Sequence, residues 1–263
     1  MWLFADDAKL VGEASTDEQC VAIQCDLEAI HEWSVRNKLF LCLPKNQCLH
    51  IGKKNRRKSY LISGTSLSVV DKCIDLGIVR NSSFTYDDHI RSVISKASRA
   101  AGMIYRVFSL RSTAFLTNLF RTYVIPILEY VSPVWSPAKQ GLNDDIERVL
   151  RRYTKRLPAL RNLSYEQRLE RLGMSTLRDR RRLADVTMAF RVLHRLVDIQ
   201  PSDIGITLSV LPTRGGGCNL TVNSASSVKI SKTFSFRIAG EWNSLPLAAK
   251  QASTLRTFKS KFK

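Results

Sequence analysis

The sequence lacks any hydrophobic run that approaches the roughly 18 to 20 consecutive apolar residues needed to cross a bilayer. It also lacks a secretory signal pattern, because Met1 is followed almost at once by acidic residues rather than by a basic and apolar segment. Acidic residues are scarce, with 23 Asp and Glu against 41 Lys and Arg. We therefore expect a soluble intracellular protein of the cytoplasm or nucleus, with no membrane partner and no secretion.

Several catalytic and structural patterns are missing as well. The four histidines show no recognisable nucleophile and base spacing, which argues against hydrolase chemistry. The six cysteines occur without a secretory signal, so a disulfide framework is not expected. Their spacings are wider than the tight pairs of structural zinc sites, although His50 lies near Cys48. Small buried thiols and a zinc site both remain open interpretations, with the thiols favoured.

Positive charge is the strongest compositional feature. The net charge is +18 and the isoelectric point is about 10.0, which favours phosphate-rich partners through counterion release. Residues 148–182 hold 12 Lys and Arg against 3 acidic residues, and residues 229–263 hold 8 against 1. Nucleic-acid binding explains this clustering, and a pair of solvated helix faces is the alternative.

A pair of adjacent carboxylates, Asp6 and Asp7, follows Phe4 and Ala5 near the start of the chain. Mg²⁺ prefers oxygen ligands from one or two carboxylates together with substrate phosphates. Adjacent side chains of a regular strand point to opposite faces, so both aspartates can serve one metal only at a hairpin turn. The pair therefore predicts a hairpin and a candidate metal site.

The remainder of the first 80 residues predicts one helix and several short strands. Thr16 and Gln19 form a capping-box pattern before a helix that ends near Asn37. Short strands are then predicted by the β-branched and apolar pattern. They cover Leu39 to Ile51 with an interruption at Pro44 and Lys45, then Ser59 to Ile62, Leu67 to Val70 and Cys73 to Val79. The basic run at residues 53–58 predicts an exposed turn, and also fits a nuclear-import or phosphate-binding patch.

From Thr85 the apolar period becomes helical. The predicted helices run from Thr85 past Ile104, from Thr113 to Leu128 with an interruption at Pro126, from Leu142 to Leu157, from Tyr165 to Leu172, from Leu177 to Leu196 and from Phe234 to Trp242. Residues 214–217 predict a flexible loop and Leu220 to Ile230 a strand. These patterns predict an α+β fold that is mostly helical.

Steps of three and four place basic residues along one surface of the Leu142 to Leu157 helix. The candidate nucleic-acid-binding residues are Arg148, Arg151, Arg152, Lys155 and Arg156, with Arg180, Arg181 and Arg182 on a later helix. Tyr153 and Tyr165 offer rings for base stacking, although tyrosines at helical spacing more often pack into a core.

The ordered motifs of the chain resemble the C-terminal part of a reverse transcriptase from a non-LTR retrotransposon of the jockey-like kind. The resemblance begins at the aromatic-Ala-Asp-Asp tetrapeptide and covers nearly the whole chain. The matching residues are Phe4-Ala5-Asp6-Asp7, Trp33, Asn37, Lys45, His50-Ile51-Gly52, Asp75-Leu76-Gly77, His89, Lys96-Ala97, Pro126 to Tyr130, Val134 to Pro137, Ile146 to Val149, Arg151 to Arg156, Tyr165, Arg168-Leu169, Arg180 to Arg182, Phe236-Arg237, Trp242 to Pro246 and Phe258-Lys259.

This resemblance implies a partial polymerase palm over residues 1–80, a helical thumb over 81–138, a basic helical region over 139–200 and a C-terminal extension over 201–263. It also implies that Asp6 and Asp7 are catalytic Mg²⁺ ligands and that Phe4 and Lys45 contact the incoming nucleotide. A solvent-facing loop lysine is the alternative for Lys45. In the family a further metal-binding aspartate and the fingers lie upstream of the tetrapeptide, where this chain has only three residues.

Two functions follow as hypotheses. In the first, the chain is part of an RNA-directed DNA polymerase that binds an RNA template and an RNA/DNA duplex, is inactive alone, and is completed by the missing N-terminal half of the polymerase. In the second, the chain is a non-enzymatic nucleic-acid-binding relic of a retrotransposon protein. Primer extension and salt-dependent binding distinguish the two.

Overall fold

The computed structural model describes residues 1–109, 112–209, 218–221 and 233–261. In these ranges the protein is mostly helical with four small two-stranded sheets, as the sequence predicts at this level. The chain divides into two compact units, a first unit of residues 1–89 and a second unit of residues 90–263. Among the described helices, none is both long and apolar enough to span a membrane.

The first unit contains eight short strands and one long helix in its described residues. The strands are β1 (Trp2–Phe4), β2 (Asp7–Lys9), β3 (Gln47–Leu49), β4 (Leu61–Ile62), β5 (Thr65–Ser66), β6 (Ser68–Val70), β7 (Lys72–Asp75) and β8 (Ile78–Asn81). Strands β1 and β2, β4 and β5, and β7 and β8 pair antiparallel, whereas β3 and β6 pair parallel. The long helix, α1, covers Asp17–Arg36, and a single 3₁₀ turn covers Leu43–Lys45.

Helix α1 begins as the capping-box pattern predicts. The Thr16 hydroxyl accepts a hydrogen bond from the Gln19 backbone N–H at 3.3 Å, and the Gln19 side chain accepts one from the Thr16 N–H at 3.1 Å. Asn37 caps the other end. The apolar residues that recur at helical spacing in α1 are Cys20, which is buried, Ile23, Leu27 and Ile30, which are half-buried, and Trp33, which is 55 % exposed. The first unit therefore covers the start of this apolar face better than its end.

Two predicted strands differ from the structure. Of the segment from Leu39 to Ile51 only Gln47–Leu49 is a strand, since Pro44 lies in the 3₁₀ turn of Leu43–Lys45. The sequence predicts a single strand from Cys73 to Val79, but the chain reverses between β7 and β8. Leu76 and Gly77 both have positive φ, at 47° and 80°, which is the conformation of a two-residue turn whose twist suits a hairpin. Gly77 adopts this conformation without steric cost and is the turn signal that the strand prediction overlooked.

The second unit is built from helices. Helix α2 (Asp87–Val107) begins in the last residues of the first unit, and the others are α3 (Thr113–Tyr123), α4 (Ile125–Glu129), α5 (Ser132–Trp135), α6 (Gln140–Lys155), α7 (Tyr165–Leu172), α8 (Leu177–Leu193), α9 (Phe234–Ser244), α10 (Leu247–Lys250) and α11 (Leu255–Lys261). A short 3₁₀ helix covers Pro201–Ile204. The predicted interruption at Pro126 is present, since α3 ends at Tyr123 and Pro126 lies in the first turn of α4.

The core of the second unit holds most of the buried apolar side chains. Around α8, Phe190 stacks on Phe258 with ring centroids 4.5 Å apart, and Trp242 lies 6.0 Å from Phe258. Leu220 and Ile206 join this cluster from the segment after α8. The predicted loop at 214–217 and most of the predicted strand from Leu220 to Ile230 lie outside the described residues. Leu220 itself is described, and it forms an antiparallel bridge with Leu208.

Candidate functional site

The hairpin of β1 and β2 carries the paired aspartates. Its register joins Phe4 to Asp7, and Ala5 adopts a left-handed φ of 52°, so Ala5 and Asp6 form the two-residue turn. Both carboxylates and the Phe4 ring are exposed. The predicted hairpin is therefore present. Asp6 lies at its tip, and Asp7 is the first residue after the turn.

The described residues do not complete a metal centre around this hairpin. No group of three or more His, Cys, Asp or Glu side chains in the described part of the chain is placed to hold a metal ion. Two-metal nucleotidyl transfer requires a cluster of carboxylates that holds two ions about 4 Å apart. Asp6 and Asp7 supply suitable oxygen ligands for Mg²⁺, but by themselves they do not fit a closed magnesium site.

Asp75, an acidic residue that contacts the hairpin through Lys9, is already engaged in ion pairs. It forms ion pairs with Lys9 of β2 and with Arg80 of β8, the latter at 2.8 Å. Lys45, the predicted nucleotide contact, is exposed at the end of the 3₁₀ turn. Its assignment as a nucleotide contact or a solvent-facing lysine stays a prediction.

None of the six cysteines, all of which lie in the described residues, forms a disulfide. Cys48 lies beside His50, with its sulfur 3.8 Å from Nε2, and burial raises the pKa of the Cys48 thiol. No third metal ligand joins this pair among the residues that the structure describes. A raised pKa keeps the thiol protonated near neutral pH, and it is the thiolate that binds metal.

Helix α6 separates an apolar face from a cationic one. Ile146, Val149, Leu150 and Tyr153 are buried, whereas the basic residues between them are exposed. We call this exposed set the cationic face of α6; it consists of Arg148, Arg151, Arg152 and Lys155, with Arg156 as the residue that caps the helix. The sequence prediction that these residues share one surface is confirmed.

The members of the cationic face differ in how far the protein neutralises them. Arg148 pairs with Asp145 one turn earlier at 2.7 Å. Arg151 lies over the Tyr165 ring and Arg156 over the Tyr105 ring, at 4.8 and 4.2 Å from the ring centroids. Within the described residues, Arg152 and Lys155 form no ion pair. A tyrosine ring orients a guanidinium without cancelling its charge, so four of the five cations remain available to a phosphate.

Glu147 anchors α6 to the helices that follow it. It is buried beside the cationic face, one helical turn before Arg151, and its carboxylate accepts hydrogen bonds from the backbone N–H groups of Leu177 and Arg178 at 3.2 and 3.3 Å. These groups are the first N–H donors of α8, where the helix dipole favours a negative charge. The Tyr165 hydroxyl of α7 donates to the same carboxylate. One buried glutamate therefore joins three helices.

The two tyrosines near α6 both contact protein groups, and Tyr153 is the more buried of the two. Tyr153 is buried, its hydroxyl donates to the Leu116 carbonyl at 2.6 Å, and burial raises its pKa. Burial and the hydrogen bond to Glu147 likewise raise the pKa of Tyr165. Of the two roles left open for Tyr153, base stacking and core packing, the structure places it in the core.

The three arginines that begin α8 have protein partners. Arg180 makes a two-point ion pair with Glu129, which raises the pKa of its guanidinium, and Arg182 makes one with Glu241, with its shorter contact at 2.6 Å. Arg181 is only 2 % exposed and donates to Asn143 at 2.8 Å, and burial lowers its pKa. Their predicted contact with nucleic acid stays a prediction, and our proposal does not depend on it.

Another buried pair joins α8 and α9. Arg237 donates from Nε to Asp185 Oδ2 at 2.7 Å and from Nη2 to the Pro133 carbonyl at 2.8 Å. Burial raises the pKa of Asp185, and the Arg237 guanidinium opposes that rise. The sequence contains no signal for this pair, because its members lie 52 positions apart.

The two units differ sharply in charge. Residues 1–89 contain 11 Lys and Arg and 12 Asp and Glu, so the first unit has a net charge of −1. Residues 90–263 contain 30 and 11, which gives the second unit +19. The excess positive charge of the protein therefore resides in the unit that carries the cationic face of α6.

Comparisons with models of protein families, with curated proteins and with solved structures give no match for this chain.

Proposed function

We propose that this chain is the C-terminal part of an RNA-directed DNA polymerase of the non-LTR retrotransposon kind, and that its second unit binds the template-primer duplex. The observation that carries the proposal is the cationic face of α6, held by Glu147 in a unit with a net charge of +19. In this proposal residues 1–80 are the remaining part of the palm, and residues 81–138, which contain α2 to α5, are the thumb.

The dimensions of α6 suit a nucleic-acid backbone. The seven helical steps from Arg148 to Lys155 rise about 10 Å along the helix axis. About 10 Å of duplex axis carries roughly six phosphate charges, counting both strands. Arg148 pairs with Asp145, and the four other cations of this surface are comparable in number to those phosphates. Such contacts read the backbone and the A-like shape of an RNA-containing duplex rather than its base sequence.

The catalytic role of the first unit is the smaller part of the proposal. Asp6 and Asp7 would provide carboxylate oxygens for Mg²⁺, which in a polymerase activates the attacking hydroxyl and neutralises the triphosphate. Phe4 and Lys45 would contact the incoming nucleotide. Among the described residues no third carboxylate joins Asp6 and Asp7 in a metal-ligand group, so the N-terminal half of the polymerase would have to provide it.

Primer extension tests the catalytic part. The isolated chain should extend no RNA-templated DNA primer, because two carboxylates do not define a two-metal site. Extension by the isolated chain that disappears in Asp6→Ala would overturn this expectation. Extension that appears only when an upstream polymerase fragment is added, and that again needs Asp6, would support the role proposed for the hairpin.

Duplex binding tests the other part. Replacement of Arg151, Arg152 and Lys155 by glutamate should lower the affinity for RNA/DNA duplexes of every sequence, because the lost contacts are to phosphates. A matched control replaces Lys53, Lys54 and Arg57 of the first unit by glutamate, which makes the same change of net charge. If both variants lose affinity equally, the cationic face of α6 is not the binding site.

A second candidate is a nucleic-acid-binding protein without catalytic activity. It depends only on the cationic face of α6 and needs no role for the hairpin of Asp6 and Asp7. It predicts the same duplex binding but no extension even when an upstream polymerase fragment is present. Both candidates place the protein inside the cell, in the cytoplasm or nucleus.

A further inference from the structure

The basic run of the first unit has no part in the proposed function. It comprises Lys53, Lys54, Arg56, Arg57 and Lys58, and it is followed by Ser59. Residues 55–60 have no regular secondary structure, and the five basic side chains and Ser59 are exposed. Two adjacent arginines thus stand three and two positions before an exposed serine hydroxyl on an irregular segment.

We propose that Ser59 is a phosphorylation site for a serine/threonine protein kinase with an acidic substrate cleft, and that Arg56 and Arg57 are the residues that such a kinase recognises. Kinases select substrates by charge pattern, and a guanidinium binds a carboxylate through two parallel hydrogen bonds. The run offers two such groups at fixed spacing from the acceptor.

The contacts that hold the run in place are weak and lie at the surface. The Lys58 ammonium pairs with Asp17 at 3.1 Å, and both side chains are about half exposed. Arg56 is tethered more firmly, since its backbone N–H donates to the Ala14 carbonyl at 2.8 Å and its Nε to the Ser15 carbonyl at 3.3 Å. The Arg56 guanidinium also helps to lower the pKa of Asp17 and of Glu18, two carboxyls that are themselves exposed at the surface.

Arg57 favours local opening of the run. Its φ of 54° is left-handed, a conformation that a residue with a Cβ adopts at a steric cost. The Asn55 side chain supports this conformation by accepting the Arg57 N–H at 2.7 Å. When the segment detaches into an extended conformation in a kinase cleft, this cost is released. The following residue, Tyr60, is buried and limits the detached segment to the residues up to Ser59.

The chain contains a built-in control for accessibility. Arg151, Arg152 and Tyr153 precede Thr154 with the same spacing of two arginines before a hydroxyl. Thr154 is only 1 % exposed within α6, and its hydroxyl donates to the Leu150 carbonyl at 2.9 Å. The two sites share the charge pattern and differ in exposure, so the fold selects Ser59.

The proposed reaction is an ordinary phosphoryl transfer. The Ser59 Oγ attacks the γ-phosphorus of ATP, the bond from that phosphorus to the β–γ bridging oxygen breaks, and ADP leaves with the electron pair. The hydroxyl proton passes to the carboxylate base of the kinase. The phosphoserine carries about −1.5 to −2 charges at neutral pH, which offsets part of the positive charge of the run.

The test uses the folded full-length chain, an arginine-directed kinase and magnesium ATP, with the site located by fragment mass spectrometry. We expect one phosphate on Ser59 and none on Thr154, no incorporation in Ser59→Ala, and a rate for Arg56→Ala/Arg57→Ala lower by at least about tenfold, as expected for loss of charged hydrogen bonds. Lys53→Ala/Lys54→Ala is the matched control and should keep the rate of the unmodified chain. Circular dichroism checks that each variant is folded.

Two results would overturn the proposal. One is phosphate on Thr154, or on another residue, at the level expected for Ser59. The other is an unmodified Ser59 in the folded chain while a peptide of residues 53–62 is phosphorylated, since the fold would then withhold the site. A peptide that is not phosphorylated either would refute the assigned kinase class.

Discussion

The two units of this protein bury apolar side chains to different extents. The first unit buries five apolar side chains among its 89 residues, whereas the described residues of the second unit bury 33. Trp33 of the first unit is 55 % exposed and Trp242 of the second is 2 % exposed. Since burial of apolar area is the main favourable contribution to folding, the second unit carries most of the stability of the chain.

The two units also differ in charge, and the unit that buries more apolar side chains is the more positive one. The second unit carries the whole excess of positive charge and organises part of it on one face of a well-anchored helix. The first unit carries exposed carboxylates on a hairpin of three-residue strands. The proposed binding surface is therefore anchored by buried contacts, whereas the proposed catalytic hairpin is exposed along both strands.

Separate expression of the two parts should show the largest difference. A chain of residues 87–263 keeps α2 whole and should unfold in a single cooperative transition, whereas a chain of residues 1–86 should show no cooperative transition, because small domains with few buried side chains are marginal. Circular dichroism and calorimetry measure both. A cooperative transition in the 1–86 chain at a temperature equal to that of the other part would break the comparison.

Matched tryptophan substitutions should show the next largest difference between the units, in the free energy of unfolding. Trp242→Ala should lower the free energy of unfolding by about 3 to 5 kcal/mol, because it leaves a cavity beside Phe258. Trp33→Ala should change it by less than about 0.5 kcal/mol, as is usual for exposed positions. Urea titration followed by circular dichroism measures both variants. Equal losses would mean that the Trp33 ring contributes to a core.

Matched arginine substitutions come third. Arg237→Ala should cost about 3 kcal/mol, because it leaves the Asp185 carboxylate buried without its partner. Arg80→Ala should cost about 1 kcal/mol or less, since Asp75 is more exposed and keeps its pair with Lys9. The double variant Asp185→Asn/Arg237→Leu should recover part of the loss. No recovery would contradict the assignment of the loss to an unpaired carboxylate.

Alkaline pH should give the smallest effect, and in both units. Burial raises the pKa of Tyr60 to about 12, and the pKa values of Tyr153 and Tyr165 are raised as well. A tyrosine with a raised folded-state pKa stabilises the fold fully below its unfolded pKa, and this contribution is lost as pH rises through the folded value. Each should cost roughly 1 kcal/mol between pH 10 and pH 11. In denaturant titrations at several pH values, Tyr60→Phe should make the free energy of unfolding fall less steeply with pH. An unchanged dependence on pH would refute the assignment to Tyr60.

Sequence patterns predicted the elements whose signals are local. The capping box at Thr16, the apolar period of α6 and the bounds of α7 are set by residues within a few positions of one another. The hairpin at Gly77 also had a local signal, a glycine at the turn, but the apolar residues on either side concealed it. Local patterns therefore fixed most helices and fewer of the short strands.

The candidate site was less predictable for a physical reason. A run of arginines at the start of α8 has the same pattern whether it faces solvent or carboxylates, and Glu129 and Glu241 lie more than 50 positions away along the chain. The cationic face of α6 was predictable because helical spacing alone puts its residues on one surface. Which side of that helix is buried depends on α7 and α8, through Glu147.

The salt dependence of duplex binding tests whether the cationic face of α6 binds phosphates. The affinity of the full chain for an RNA/DNA duplex is measured from low to moderate salt, and again for Arg151→Gln/Arg152→Gln/Lys155→Gln. If the cationic face of α6 binds phosphates, the slope of log affinity against log salt should fall by about 3 in magnitude, roughly one for each lost contact. An unchanged slope in this folded variant would contradict the account and place the nucleic-acid contact elsewhere.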